Sequence, residues 1–126
     1  MLSFFVPIDG RVAINNRNAV YTLDPLNSYN QVQFLDIQWC KKLINAGIFS
    51  KIQFNSLREV IIDYCHALLE IQFVSQPVLA RIELLSDGEL RNVSLKKLPV
   101  LKELVVNNTK IIFINLSEKE LQYVDL

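Results

Sequence analysis

Glycine and proline are scarce in this sequence, at three and four residues among 126. Linkers and low-complexity tracts are rich in these residues, so the chain is expected to form one folded unit. Thirteen basic and thirteen acidic residues give a net charge of zero, so the overall charge does not favour nucleic acid or an anionic membrane as a partner. No apolar run reaches the roughly 18 residues that a membrane-spanning helix requires.

Cysteine and histidine are also rare. The two cysteines, Cys40 and Cys65, are too few for a disulfide framework and suit a reducing compartment. Together with the single histidine, His66, they fall short of the four ligands of a structural zinc site. The first residues lack a basic n-region, and Asp9 interrupts the apolar stretch before it reaches signal-peptide length. These features predict a cytoplasmic protein with neither metal nor cofactor.

What the sequence does contain is an aliphatic repeat. Its frame is L-x-x-L-x-L, and the middle position recurs at 35, 60, 82, 104 and 124, in steps of 25, 22, 22 and 20. A weaker copy lies 23 residues earlier, at Val12/Ala13/Ile14. One coil cannot bury its apolar edge alone, so this recurrence predicts coils that stack around a shared core. The five full copies are Val32/Leu35/Ile37, Leu57/Val60/Ile62, Leu79/Ile82/Leu84, Leu101/Leu104/Val106 and Leu121/Val124/Leu126.

A second aliphatic frame is nested within the first and recurs in steps of 22 and 21 residues. Its last two positions alternate with a polar residue, and this period of two predicts a second short extended segment in each repeat. The copies are Leu68/Ile71/Phe73, Leu90/Val93/Leu95 and Ile111/Ile114/Leu116.

Small polar or thiol side chains stand three residues after the first frame. We expect them to point inward under the turn and to bond the turn backbone of the next coil. They are Cys40, Cys65, Asp87 and Thr109. Equivalent positions in adjacent coils lie about 5 Å apart, which is within disulfide range for the two cysteines. Buried free thiols are the favoured state, because stacked side chains point the same way rather than at each other.

The two frames resemble the leucine-rich repeat family, in particular its short bacterial-type repeats of about 21 residues. The best copy is LKELVVNNTKIIFINLSEKELQYVDL, from Leu101 to Leu126, and the resemblance covers 32–126 well and 12–31 poorly. The sequence departs from the family pattern at the inward position, where cysteine, aspartate and threonine replace the usual asparagine. The resemblance implies a strand-rich α/β solenoid, with a parallel sheet on one face and short extended or 3₁₀ segments on the other.

The domain organisation follows from this repeat pattern. Residues 1–31 are expected to form an N-terminal cap with a degenerate first repeat, in which Tyr21, Leu23, Leu26 and Tyr29 cover the first coil. Residues 32–126 hold about five repeats, the last truncated. The longest step, which includes Cys40 to Lys51, has room for a helical turn or two. The sequence stops inside the last copy, so either the array is longer or a second chain covers that end.

In leucine-rich repeat proteins the ligand commonly contacts the strand face, at the variable positions between the fixed aliphatic ones. On the five strands here these positions carry six acids against three bases, together with several aromatic residues. We therefore expect a non-catalytic protein–protein interaction module whose partner carries a basic patch. The expected contact residues are Phe34, Asp36, Trp39, Glu59, Ile61, Asp63, Tyr64, Arg81, Glu83, Glu103 and Tyr123.

Other interpretations of the same residues remain open. The charge asymmetry is also compatible with an ordinary solvated surface, and the N-terminal cap could cover Phe34 and Trp39. A structural unit that self-assembles through its uncapped C-terminal strand is the alternative function. Catalysis by Cys65 and His66 is disfavoured, because adjacent residues in a turn usually point apart and no third orienting group is evident.

Overall fold

Short strands provide most of the regular structure in the computed structural model, which describes residues 2–107, 109–110, 113–116 and 123–125. A single helical turn, α1 (Ile48–Lys51), and two 3₁₀ segments, Leu2–Phe5 and Asp24–Ser28, complete the described elements. The strands are β1 (Arg11–Asn15), β2 (Phe34–Gln38), β3 (Glu59–Asp63), β4 (Glu70–Val74), β5 (Arg81–Leu85), β6 (Asn92–Lys96), β7 (Glu103–Asn107), β8 (Phe113–Leu116) and β9 (Tyr123–Asp125).

The strands form two parallel sheets, one for each aliphatic frame. The six-stranded sheet has the order β1-β2-β3-β5-β7-β9, and the three-stranded sheet has the order β4-β6-β8. The middle positions of the first frame are direct partners throughout: Val12, Leu35, Val60, Ile82, Leu104 and Val124. The predicted stacking is therefore confirmed, and the weak copy at Val12 is a full member. The chain is a parallel β-solenoid of about four turns with a repeat of ~22 residues.

The alternation of apolar and polar residues determines which side chains enter the core. In β2, for example, Leu35 and Ile37 are buried while their neighbours are half-exposed. In β4 the inward residues are Ile71 and Phe73, and they belong to the same hydrophobic cluster as the inward residues of β2. The ring of Phe49 in α1 stacks on Phe73 with centroids 4.8 Å apart, so the helical turn closes one side of this core.

Each strand of both sheets up to β6 is followed by a residue in the left-handed region of backbone conformation. Its N–H continues the ladder between coils: the N–H of Tyr64, for instance, donates to the carbonyl oxygen of Leu85 at 2.8 Å. The next residue points inward and opens a turn, in which the N–H of Leu90 donates to the carbonyl oxygen of Asp87 at 2.8 Å. These left-handed corner residues are Asn16, Trp39, Tyr64, Ser75, Ser86 and Lys97.

The left-handed corners give a first testable prediction. Lys97 is exposed and has a φ of 58°, a conformation that costs a residue with a Cβ about 1–2 kcal/mol relative to glycine. Because glycine also gains entropy in the unfolded chain, Lys97→Gly is expected to raise the free energy of unfolding by about 0.5 kcal/mol. Urea unfolding measures this. Ser94→Gly, inside β6, is the control and should lower stability; a loss of equal size in Lys97→Gly would contradict the prediction.

The far side of the coils and the N-terminal region match the sequence expectations in most respects. Extended segments occupy the far side, and the long step contains the one turn α1. Leu23 and Leu26 are fully buried and Tyr29 packs against the core. Tyr21, however, is 60% exposed and does not cover the first coil. The predicted self-association concerns Leu121 and Leu126, which lie outside the described residues, and stays a prediction.

Candidate interaction surface

The outward face of the six-stranded sheet, the strand face, carries its side chains in straight rows because the strands are parallel and in register. The row at the start of the strands consists of Arg11, Phe34, Glu59, Arg81 and Glu103. The row two residues further along consists of Ala13, Asp36, Ile61, Glu83 and Val105. Seven of the predicted contact residues thus come together on one surface: Phe34, Asp36, Glu59, Ile61, Arg81, Glu83 and Glu103.

Arg81 is the centre of an ion-pair cluster on this face. Its guanidinium lies 2.6 Å from Glu83 Oε1, 3.3 Å from Glu103 Oε2 and 3.5 Å from Glu59 Oε2. Burial alone would lower the pKa of Arg81, but the hydrogen bonds to Glu83 and Glu103 outweigh burial and raise it. One cation therefore holds three carboxylates in place, and the cluster keeps a net negative charge.

Asp63 was expected on the exposed surface, and this expectation is wrong. Its side chain is only 4% exposed, and Oδ1 accepts the backbone N–H of Leu85 in the next coil at 2.9 Å. Burial, assisted by the neighbouring Glu83, raises the pKa of Asp63 to about 8. The pKa of Glu83 is lowered by its hydrogen bond with Asp63 and by Arg81. Asp63 is therefore the protonated member of the pair, and it adds no charge to the strand face at neutral pH.

Trp39 and Tyr64 lie at the corner rather than on the strand face, one residue beyond β2 and β3. Their rings stack with centroids 4.4 Å apart and planes only 3° from parallel. His66 meets the indole edge-on at 6.1 Å, and Trp39 remains 41% exposed. The alternative in which the N-terminal region hides Trp39 is thus wrong. Phe34 is half-buried, with the guanidinium of Arg11 4.9 Å above its ring.

Tyr123, the last predicted contact residue, belongs to β9 and pairs with Glu103 through the backbone. Its side chain is outside what the structure describes, and so is that of Asp125, one of the six acids counted on the strands. Two of the three bases, Arg58 and Lys102, lie one residue before β3 and β7 and are exposed. These two bases therefore lie at the starting edge of the sheet, whereas Arg81 lies within it among the acids.

Beneath the corner lies a column of buried, inward side chains, those of Cys40, Cys65 and Asp87. Asp87 is fully buried; its Oδ1 accepts the N–H of Cys65 at 2.8 Å, while Oδ2 has no hydrogen-bond partner among the described residues. The bond thus reaches back to the preceding coil, whereas the sequence predicted one to the next coil. Burial raises the pKa of Asp87 to about 8, so its carboxyl group is largely protonated at neutral pH.

The two cysteines of this column are free and buried, as expected. A hydrogen bond from Cys65 lowers the pKa of Cys40 to about 7, and the same bond together with burial raises the pKa of Cys65. His66 is exposed and makes its ring contact with Trp39, whereas the Cys65 thiol is buried.

Gln76 is a structural residue that sequence reasoning missed. Its side chain is fully buried; Oε1 accepts the N–H of Phe54 at 2.9 Å, and Nε2 donates to the carbonyl oxygens of Phe49 and Ile52 at 2.9 and 2.8 Å. A signal was present, because Gln76 stands three residues after Phe73. That is the offset at which the first frame places Cys65 and its equivalents.

Two features are absent from the described part of the chain. There, no group of three or more histidine, cysteine, aspartate or glutamate side chains is placed to hold a metal ion. In the same residues, no helix has the length and apolar character needed to cross a bilayer.

The chain was compared with protein-family models, curated proteins and solved structures, and none of the three comparisons gives a match. The chain has the architecture of a parallel β-solenoid with a repeat of ~22 residues.

Proposed function

We propose that this protein is a non-catalytic interaction module that binds a partner protein through the strand face. One observation carries the proposal: the outward positions of β2, β3, β5 and β7 hold four carboxylates, those of Asp36, Glu59, Glu83 and Glu103, against the single guanidinium of Arg81. A surface of this charge favours a partner with a basic patch and repels acidic ones.

The arrangement of this face supports binding in a second way. The three glutamates around Arg81 are already held by ion pairs, so ordering them costs less side-chain entropy when a partner binds. Ile61 and Leu85 lie half-exposed between the charged residues, where they offer apolar contact. A mixture of fixed charge and small apolar patches is typical of protein-binding surfaces.

We also propose that the coils are leucine-rich repeats and that the protein works in a reducing compartment such as the cytoplasm. The L-x-x-L-x-L frame, whose described aliphatic residues are buried, supports the first proposal. The two free, buried cysteines support the second. Cys65 is buried and the pKa of its thiol is raised, which keeps the sulfur protonated and therefore a poor nucleophile. This supports a role in binding without catalysis.

The proposal is tested by affinity capture with matched charge reversals. Asp36→Lys with Glu103→Lys reverses two acids of the strand face, and Asp24→Lys with Glu70→Lys makes the same change in net charge at exposed positions away from it. Partners bound by the wild type should be lost from the first variant and retained by the second. Equal recovery by both variants, with both shown to be folded by circular dichroism, would exclude the strand face as the binding surface.

A further inference from the structure

We infer that the stacked pair Trp39–Tyr64 is a docking site for arginine side chains of an extended, basic segment of a partner protein. This inference rests on the proposed function and adds a second contact region, at the corner beside the strand face. It identifies the partner by the chemistry of the guanidinium group rather than by charge alone.

The two aromatic residues adopt an unfavourable backbone conformation. Trp39 and Tyr64 have φ values of 57° and 58°, a region that bulky residues rarely occupy. Other coils place Asn16 and Ser86 at the same corner position, and asparagine is the residue besides glycine that adopts this conformation most readily. The turn itself therefore gives no reason for tryptophan or tyrosine here. Locally unfavourable residues held by the fold are frequent at binding sites.

One face of the aromatic pair is open. Tyr64 covers one face of the indole at a centroid distance of 4.4 Å, yet Trp39 is still 41% exposed. The exposed area therefore lies on the opposite face and the rim. The corner on that side carries the much smaller, exposed Asn16. An exposed indole face backed by a second ring is a rigid surface on which a planar group can stack.

The strand face next to the pair complements a cationic partner in charge. Asp36 and Glu83 belong to the outward row nearer to this corner and Arg58 and Lys102 lie at the opposite, starting edge of the sheet, while the exposed Lys41 and Lys42 follow Trp39 in the turn that leads away from the strand. Asp36 lies about 10 Å from Trp39 along the strand and accepts a hydrogen bond from Gln38 at 3.1 Å. A cationic segment that stacks on the pair and extends along the strand face would thus reach carboxylates about 10 Å away. Arginine fits better than lysine because its flat guanidinium both stacks on indole and forms paired hydrogen bonds with carboxylates.

The experiment uses intrinsic fluorescence, because Trp39 is the only tryptophan and reports on its own site. The probes are two peptides of equal length and charge, one alternating glycine with arginine and the other glycine with lysine. The arginine peptide is expected to quench Trp39 and to bind about fivefold more tightly than the lysine peptide, the ratio that a stacked cation–π contact supplies. Tyr64→Leu should reduce the ratio towards one.

Calorimetry with Trp39→Leu repeats the comparison without fluorescence, so the test does not depend on the folding of one variant. Tyr21→Leu, at an exposed aromatic residue outside the site, is the control and should leave the ratio unchanged. Equal affinity for both peptides, or no affinity for either, overturns the inference. So does quenching by adenosine monophosphate or maltotetraose in place of the arginine peptide.

The outcomes separate this inference from the proposed function. If both peptides bind equally, and Asp36→Lys with Glu103→Lys weakens both, the arginine site is excluded while the acidic strand face stands. If those reversals have no effect but Tyr64→Leu abolishes the preference for arginine, the corner binds without the strand face.

Discussion

Gln76→Leu is expected to lower the free energy of unfolding by about 3–5 kcal/mol, because each buried polar group left without a partner costs about 1–3 kcal/mol. The substitution removes the acceptor of the Phe54 N–H and the donor to the Phe49 carbonyl oxygen, both in buried hydrogen bonds. It also removes the partly buried bonds to the carbonyl oxygens of Ile52 and Val74. Together these bonds join the segment around α1 to the segment that follows β4. Their loss therefore weakens the packing between these two segments on the far side of the coils.

Urea unfolding at neutral pH measures the effect, with Gln72→Leu as the matched control. Gln72 lies on the exposed face of β4, and its replacement should change stability by less than about 0.5 kcal/mol. Gln76→Glu provides a second test, because it keeps the acceptor for Phe54 but directs a carboxylate at carbonyl oxygens. Its defect should be larger at pH 7 than at pH 4. Similar stabilities for Gln76→Leu and Gln72→Leu would contradict this role.

The second prediction is that the protein loses stability as the pH rises from about 4 towards 8. The pKa of Asp63 and that of Asp87 are both raised to about 8, chiefly by burial, against about 3.9 for aspartate in an unfolded chain. Between these values the folded state binds more protons than the unfolded state. The stabilising contribution is therefore complete below about pH 4 and is lost progressively as the pH rises towards 8.

Asp87→Asn tests this mechanism directly. Asparagine keeps an oxygen that can accept the N–H of Cys65, and it stays neutral at every pH. The variant should have about half the wild-type slope between pH 4 and 7, and it should be more stable than the wild type at pH 7. Above pH 7 the lowered pKa of Cys40 acts in the opposite direction, so the decisive range lies below that value.

Asp24→Asn is the control for this pH series, because Asp24 is exposed in a 3₁₀ segment. It should retain the wild-type slope. Chemical unfolding at half-unit steps from pH 4 to pH 7 supplies the measurement. A wild-type stability that rises across this range would show that the two carboxyl groups are ionised in the folded protein.

The regular part of the fold was predictable because its cause is local in the sequence. Aliphatic residues at fixed offsets determine which side of each strand is buried, so the partners of Leu35 and Ile71 followed from counting residues. Seven of the predicted contact residues share the strand face for the same reason. The same rule failed for Trp39 and Tyr64, because aromatic residues favour strands and give no local sign of a left-handed corner.

The sequence by itself determined the period of the coils, the two parallel sheets and the identity of the inward side chains, since burying an alternating pattern leaves few other solutions. Only the tertiary structure decided which hydrogen bonds individual polar groups form and whether they are buried. Gln38 and Asp63 stand at equivalent outward positions of β2 and β3, yet the Gln38 amide donates to Asp36 of its own strand, whereas Asp63 accepts an N–H of the next coil and is buried. That choice depends on which backbone group the neighbouring coil presents, a property of two segments 22 residues apart in the chain.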